Sequence, residues 1–201
     1  ERNLYLATQL AELKVPLVLA FNMSDQARAR GYEFDLEKLS RFFGARIVPT
    51  VGHKNMGMTE LLDAVVATAT AALPTPEQPK IAYDREIEEE IAAIEALLGP
   101  NSFPTVHYDR RWLAVKLLEN DKDVRAKVHS AQLDEQIEKS AARIEAILGD
   151  RPDTAIAGSR YGFISGACQE AVRSTIEIRH TISDTIDAVV TNRVLALPIF
   201  L

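Results

Sequence analysis

The sequence predicts an α/β unit followed by an all-α unit, and three observations carry that prediction. A continuous apolar run, Val15-Pro16-Leu17-Val18-Leu19-Ala20-Phe21, ends in the polar tetrapeptide Asn22-Met23-Ser24-Asp25. Runs apolar on both faces belong to buried parallel strands, and open α/β sheets bind ligands at the carboxyl ends of such strands. A second run, Ala45-Arg46-Ile47-Val48-Pro49-Thr50, opens in the same way into the loop Val51-Gly52-His53-Lys54-Asn55-Met56-Gly57. From Asp84 onward the apolar period is that of a helix, with no alternating strand pattern. Pro74, Pro76 and Pro79 punctuate the change of character. The division is therefore residues 1–73, a Pro-rich linker at 74–83, and residues 84–201.

The elements follow in chain order. After Asp25 a short helical stretch is closed by Gly31. Asp35 reads as the N-cap of a helix through Leu36, Leu39 and Phe43, with Gly44 as its stop. Thr59 is placed to cap the next helix, whose face is Leu62, Val65 and Val66. In the second half, Ile87, Ile91, Ile94 and Leu98 form one stripe, stopped by Gly99-Pro100. A second helix begins near Asp109 and carries Trp112, read as a core residue, with Val115 and Leu117 or Leu118. Leu133, Ile137, Ile144 and Leu148 form a third, ended by Gly149. A fourth covers residues 155–171 after Pro152, and a fifth runs through Ile182, Ile186, Val189 and Val190. This half reads as a helical bundle.

Composition narrows the function classes. With 201 residues, 47% of them apolar, the chain is large enough for one or two packed cores. A net charge of −6 without a basic stripe argues against nucleic acid, whose phosphates are met by clustered Lys and Arg. The single cysteine, Cys168, forms no internal disulfide and reads as a small residue on a helix. The acidic cluster Glu86, Glu88, Glu89, Glu90 and Glu95 reads as a solvated helix face. His53, His107, His129 and His180 are scattered, with no i, i+4 pair and no neighbouring Cys, so no metal site is assigned. No nucleophile–base arrangement is visible, and no catalytic residue is assigned.

Asn22, Met23 and Asp25 carry the most specific chemistry. Proteins that bind guanine nucleotides read the base with N-x-x-D after a strand. An Asp carboxylate accepts from guanine N1–H and the 2-amino group together. Adenine has neither donor there, so the carboxylate would stay unpaired and the wrong base is strongly rejected. Asn22 would support the loop geometry, while backbone N–H groups of Val51, Gly52 and His53 are candidates to meet guanine O6. Taken without their surroundings, Asn22, Ser24 and Asp25 read equally as turn and cap residues.

The chain resembles the bacterial ferrous iron transport protein B (FeoB) family. The resemblance rests on Glu1-Arg2-Asn3-Leu4-Tyr5-Leu6, the segment from Val15 through Asn22-Met23-Ser24-Asp25, and Ile47-Val48-Pro49-Thr50-Val51. It continues in Arg160-Tyr161-Gly162-Phe163-Ile164, Asp184-Thr185-Ile186-Asp187, and Asn192-Arg193-Val194-Leu195-Ala196-Leu197-Pro198-Ile199-Phe200-Leu201. It implies part of a Ras-like G-domain sheet, two parallel strands with helices, followed by the family's helical domain. It implies GTP or GDP as ligand, ferrous iron as cargo, and a downstream transmembrane domain. The implied location is the cytoplasmic side of the bacterial inner membrane, with nucleotide state relayed through the helical domain.

The phosphate loop G-x-x-x-x-G-K-[ST], the switch threonine and D-x-x-G are absent from these residues, as are the ligands for Mg2+. In the resembled family these motifs precede the position of Glu1. The expectation is an amino-terminally truncated piece that contacts only the base, binds GTP weakly and does not hydrolyse it. Its open sheet edge would be covered by another chain, in a homo-oligomer for example, or by the missing strands. The apolar residues 194–201 are too short to span a bilayer, which takes roughly 20 residues. They are expected to continue into a membrane helix with Arg193 on its cytoplasmic flank. The loop Val51-Gly52-His53 departs from the S-A-K form common among G proteins. The competing reading is a soluble helical regulatory or interaction module whose vestigial α/β part binds nothing.

Overall fold

The computed structural model describes residues 2–70, 81–98, 108–128 and 130–174. In chain order the elements are α1 (Arg2–Glu12), β1 (Val18–Phe21), α2 (Ser24–Ala29), β2 (Tyr32–Phe34), α3 (Leu36–Phe43) and β3 (Arg46–Pro49). A 3-10 turn at Gly52–Lys54 leads into α4 (Met58–Ala69). Then follow α5 (Arg85–Leu97), α6 (Arg110–Leu118), α7 (Lys122–Lys127), α8 (Ala131–Leu148), α9 (Pro152–Ala171) and β4 (Val172–Ser174). The residues 71–80, which include linker residues 74–80, the residues 99–107, His129, the fifth helix and the apolar end with Arg193 lie outside the described residues.

β1 and β3 are parallel neighbours, in register from Val18 opposite Arg46 to Phe21 opposite Pro49. This is the sheet expected from the two apolar runs. The predicted caps act as such. Asp35 accepts from the Lys38 N–H and Asp109 from the Trp112 N–H. Gly44 and Gly149 end α3 and α8 in the left-handed region, and Pro152 opens α9.

Several elements differ from the sequence reading. α4 is capped by Gly57, not Thr59, which lies within the helix. Gly57 turns the chain at φ 76, so the helix starts ahead of the threonine. Leu62, Val65 and Val66 do share a face, but that face is exposed, because α4 lies on β1 and β3 by another side. The sequence reading names neither α1 nor α7, although Asp121 caps α7 by accepting from the Asp123 and Val124 N–H groups. β4 pairs antiparallel with β2, placing Phe34 opposite Val172, so the helical half adds a strand beside the α/β half. Ile81 and Tyr83, assigned to the linker, are buried in the helical core.

The helical core is the α5 stripe Ile87, Ile91, Ile94 and Leu98 against Leu113 and Leu117 of α6, Ile137 and Ile144 of α8, and Ile156 of α9. Trp112 is partly buried against it. Truncating any one of these to Ala should cost about 2–5 kcal/mol. A second core joins Ala7 of α1, Leu39 and Phe43 of α3, Ala45 and Ala171. Phe163 on α9 packs against both cores. Cys168, half-buried, also lies on α9.

The acidic cluster is more than a solvated face. Glu90 is buried, accepting from Ser140 Oγ at 2.5 Å and from Arg143 Nη1 at 2.6 Å. Glu88 takes both Arg111 amino groups at 2.6 Å. Burial alone would lower the Arg111 pKa, but Glu88 outweighs it and the net direction is upward. These carboxylates cross-link helices, a role invisible in a run of acidic residues.

A larger network joins the two halves. The Arg160 guanidinium on α9, fully buried, donates to Glu12 at the end of α1 at 2.8 Å and to Glu119 beside α6. It also donates to Tyr5 Oη at 3.4 Å, and the Tyr83 hydroxyl donates to Glu12. Burial disfavours the Arg160 charge, but Glu119, Tyr83 and Glu12 more than offset it and raise its pKa. Burial, then the Glu12 charge, pushes the Tyr83 hydroxyl well above its ordinary value.

Candidate functional site

The parallel register of β1 and β3 brings their carboxyl ends together, and the Thr50 N–H donates to Phe21 O at 2.9 Å just past the strands. The two loops that carry the sequence-predicted residues therefore leave the sheet side by side. Met23 takes the left-handed conformation, φ 61, which turns the chain sharply between β1 and α2. Its side chain is half exposed.

Asn22 ties the loops together. Its Oδ1 accepts from the Met23 N–H at 2.9 Å and from the Gly52 N–H at 3.0 Å. Ser24 reinforces the join by donating its N–H at 3.2 Å and its hydroxyl at 3.1 Å to Thr50 O. Val51 is buried, and its N–H donates to Met56 O at 3.0 Å, closing a small bridge. Val51 thus shapes the loop with its N–H already engaged. The Gly52 N–H is held by Asn22, while His53 stands exposed in the 3-10 turn.

Asp25 faces the same space. Its Oδ1 accepts from the Gln26 N–H at 2.9 Å, and its Oδ2 pairs with Lys54 Nζ at 2.6 Å. The Lys54 ammonium holds this carboxyl below its usual pKa, against the opposing effect of desolvation. The structure so brings Asn22, Met23, Asp25, Val51, Gly52 and His53 into one loop cluster. Sequence reasoning missed Lys54, Ser24, Thr50 and Gly57 as parts of it. Gly57 is required there by the fold: at φ 76, a Cβ would come within 2.3 Å of Pro49 O. Gly52 is under no such constraint, since its Cβ would meet Asn22 Oδ1 at an ordinary 3.6 Å.

Among the described residues no group of three or more His, Cys, Asp or Glu is placed to hold a metal ion. His107, His129 and His180 lie outside them. No described helix is long and apolar enough to cross a membrane.

Two family models match. One, described as ferrous iron transport protein B, covers residues 1–65; the other, described as the FeoB cytosolic helical domain, covers residues 83–173. The chain belongs to the FeoB family. A Porphyromonas gingivalis protein described as an Fe(2+) transport protein A/Fe(2+) transporter FeoB fusion is 34% identical over 216 residues. The match takes in all of this chain and 24% of that protein. The Escherichia coli K12 Fe(2+) transporter FeoB is 28% identical, over all of this chain and 25% of its own length. The chain therefore spans about a quarter of these FeoB relatives.

Solved structures agree on the fold. NFeoB of S. thermophilus bound to GDP.AlF4- and K+ superposes with a TM-score of 0.72 at 32% identity, covering 84% of this chain and 64% of that one. A GDP-bound point mutant of the same protein gives a TM-score of 0.73 at 32% identity, covering 86% and 64%. The FeoB chain described here is thus a partial G-domain fold with its parallel strand pair, followed by a helical domain.

Proposed function

We propose that this FeoB chain supplies the base-reading end of a guanine-nucleotide site and links it to the helical domain of a ferrous iron transporter. Asp25 is the reader: its carboxylate accepts from guanine N1–H and the 2-amino group, and Asn22 fixes the loop spacing. The observation that carries this reading is the loop junction itself, in which Asn22 Oδ1 holds Gly52 from one side while Asp25 fronts the same space. His53 supplies the backbone donor for O6, since the N–H groups of Val51 and Gly52 are engaged by Met56 O and Asn22 Oδ1, and Met23 flanks the base.

The helical domain is reached by two routes. One is the β2–β4 ladder, which begins after the helix that Asp25 opens. The other is Arg160, whose partners Glu12 and Tyr5 sit on α1 and Glu119 after α6. Both support a relay of nucleotide state toward a membrane domain, on the cytoplasmic side of the bacterial inner membrane. Phosphate and Mg2+ contacts come from elsewhere in the complete protein, so the 201 residues alone bind GTP weakly and turn over none.

The test is equilibrium competition between GDP and ADP for the complete protein and for its Asp25→Ala variant. GDP should be strongly preferred, and the preference should collapse in the variant. Equal binding of both nucleotides by the unaltered protein would favour the reading of this part as vestigial.

A further inference from the structure

We infer that Lys54 is an internal competitor for the base: it holds the same carboxylate oxygen that guanine must take, and guanine displaces it. The inference rests on the base-reading role proposed for Asp25. Lys54 Nζ lies 2.6 Å from Asp25 Oδ2, while Oδ1 already accepts from the Gln26 N–H. An ammonium and the guanine N1–H/2-amino edge are alike in kind, both clusters of N–H donors aimed at a carboxylate. With Oδ1 already taken by Gln26, the two compete for the acceptor position on Oδ2 that Lys54 holds.

The position of Lys54 suits exchange. It closes the 3-10 turn that Gly52 opens, so it sits at the edge of the same loop cluster. About half of its side-chain surface is exposed, against 30% for Asp25. A displaced ammonium thus returns to water with little penalty, whereas Asp25 is left with the base. Adenine has no donor pair to offer in return and gains nothing by displacing the lysine. Without Lys54 the Asp25 carboxylate would stand unneutralised, and guanine would bind without first breaking an ion pair.

The experiment measures GDP affinity of the complete protein at low and high ionic strength for the unaltered chain, Lys54→Met, Lys54→Arg, Asp25→Ala and the double variant Lys54→Met/Asp25→Ala. Salt effects on phosphate contacts cancel in the ratio of Lys54→Met to unaltered protein. That ratio should show about two- to five-fold tighter binding at low salt, the range of a partly exposed ion pair, and should shrink toward one at high salt. Lys54→Arg, which keeps the competitor, should bind like the unaltered chain. The gain should vanish in the Asp25→Ala background. Weaker or unchanged binding in Lys54→Met, or a gain that persists without Asp25, would overturn the inference while leaving base reading intact. If Asp25→Ala itself binds GDP normally, the base-reading role has failed and the inference falls with it.

Discussion

The loop cluster around Asp25 and the network around Arg160 are both built from opposite charges, yet they solve opposite problems. Asp25 and Lys54 stand at the surface on two loops, each able to give up its partner. Arg160 is fully buried and bonded to Glu12, Glu119 and Tyr5. A recognition site has to exchange its hydrogen bonds with a ligand, so its charges stay near water. A junction between two packed units must not exchange, so its central charge, Arg160, is buried and bonded on both sides. Breaking the second should damage the fold, and breaking the first should damage only binding.

The largest effect is expected at the junction. Arg160→Met leaves the part-buried Glu12 without its cation, while Glu119 keeps Lys116 at 2.9 Å, and should cost about 3–5 kcal/mol in urea unfolding. A loss below 1 kcal/mol would erase the distinction between the two regions. Tyr83 extends the test to pH. Its folded pKa is raised above the ordinary 10.0, so its protonated form is favoured in the folded state. That stability is complete below pH 10 and is lost as pH rises beyond it, by about 1.4 kcal/mol per unit for one group. Tyr83→Phe should flatten the alkaline limb of the stability curve.

Gly57→Ala comes next. Its Cβ would collide with Pro49 O at a left-handed φ, so a loss of roughly 1–3 kcal/mol is expected, together with a distorted loop. Asn22→Ala removes the acceptor shared by Met23 and Gly52 and should cost about 1 kcal/mol in stability. Its effect on GDP affinity should be the greater, since the two loops lose their fixed spacing. Gly52→Ala, by contrast, has room for its methyl and should fold normally. The smallest effect belongs to Lys139→Ala, which breaks an exposed i, i+4 pair with Glu135 and should leave the unfolding midpoint within measurement error.

What the sequence disclosed was mostly local. Asp35, Gly44, Asp109, Gly149 and Pro152 could be placed because a cap or stop depends on a few neighbouring residues. The strand pair was legible because β1 and β3 are apolar and each ends in a change of polarity. β2 and β4 were not: they are three residues each and pair across 138 positions, from Phe34 to Val172. α1 lacks an acidic first turn and a basic last turn, and its burial comes from α3 and α9 far along the chain. Of the site, Asn22 and Asp25 stood out by type and position. Lys54 did not, since its meaning comes only from a loop that folds back beside Asp25. Glu90 and Arg160 likewise look like ordinary surface charges until the helices pack around them.

The central claim is that Asp25 reads guanine through paired acceptor oxygens, and replacing one oxygen by a donor tests it most directly. Asp25→Asn presents an amide N–H to the 2-position, which suits the 2-oxo group of xanthine and opposes the 2-amino group of guanine. In equilibrium competition on the complete protein, the variant should lose GDP preference and favour xanthosine diphosphate. An Asp25→Asn protein that still prefers GDP as strongly as the unaltered chain would contradict the assignment.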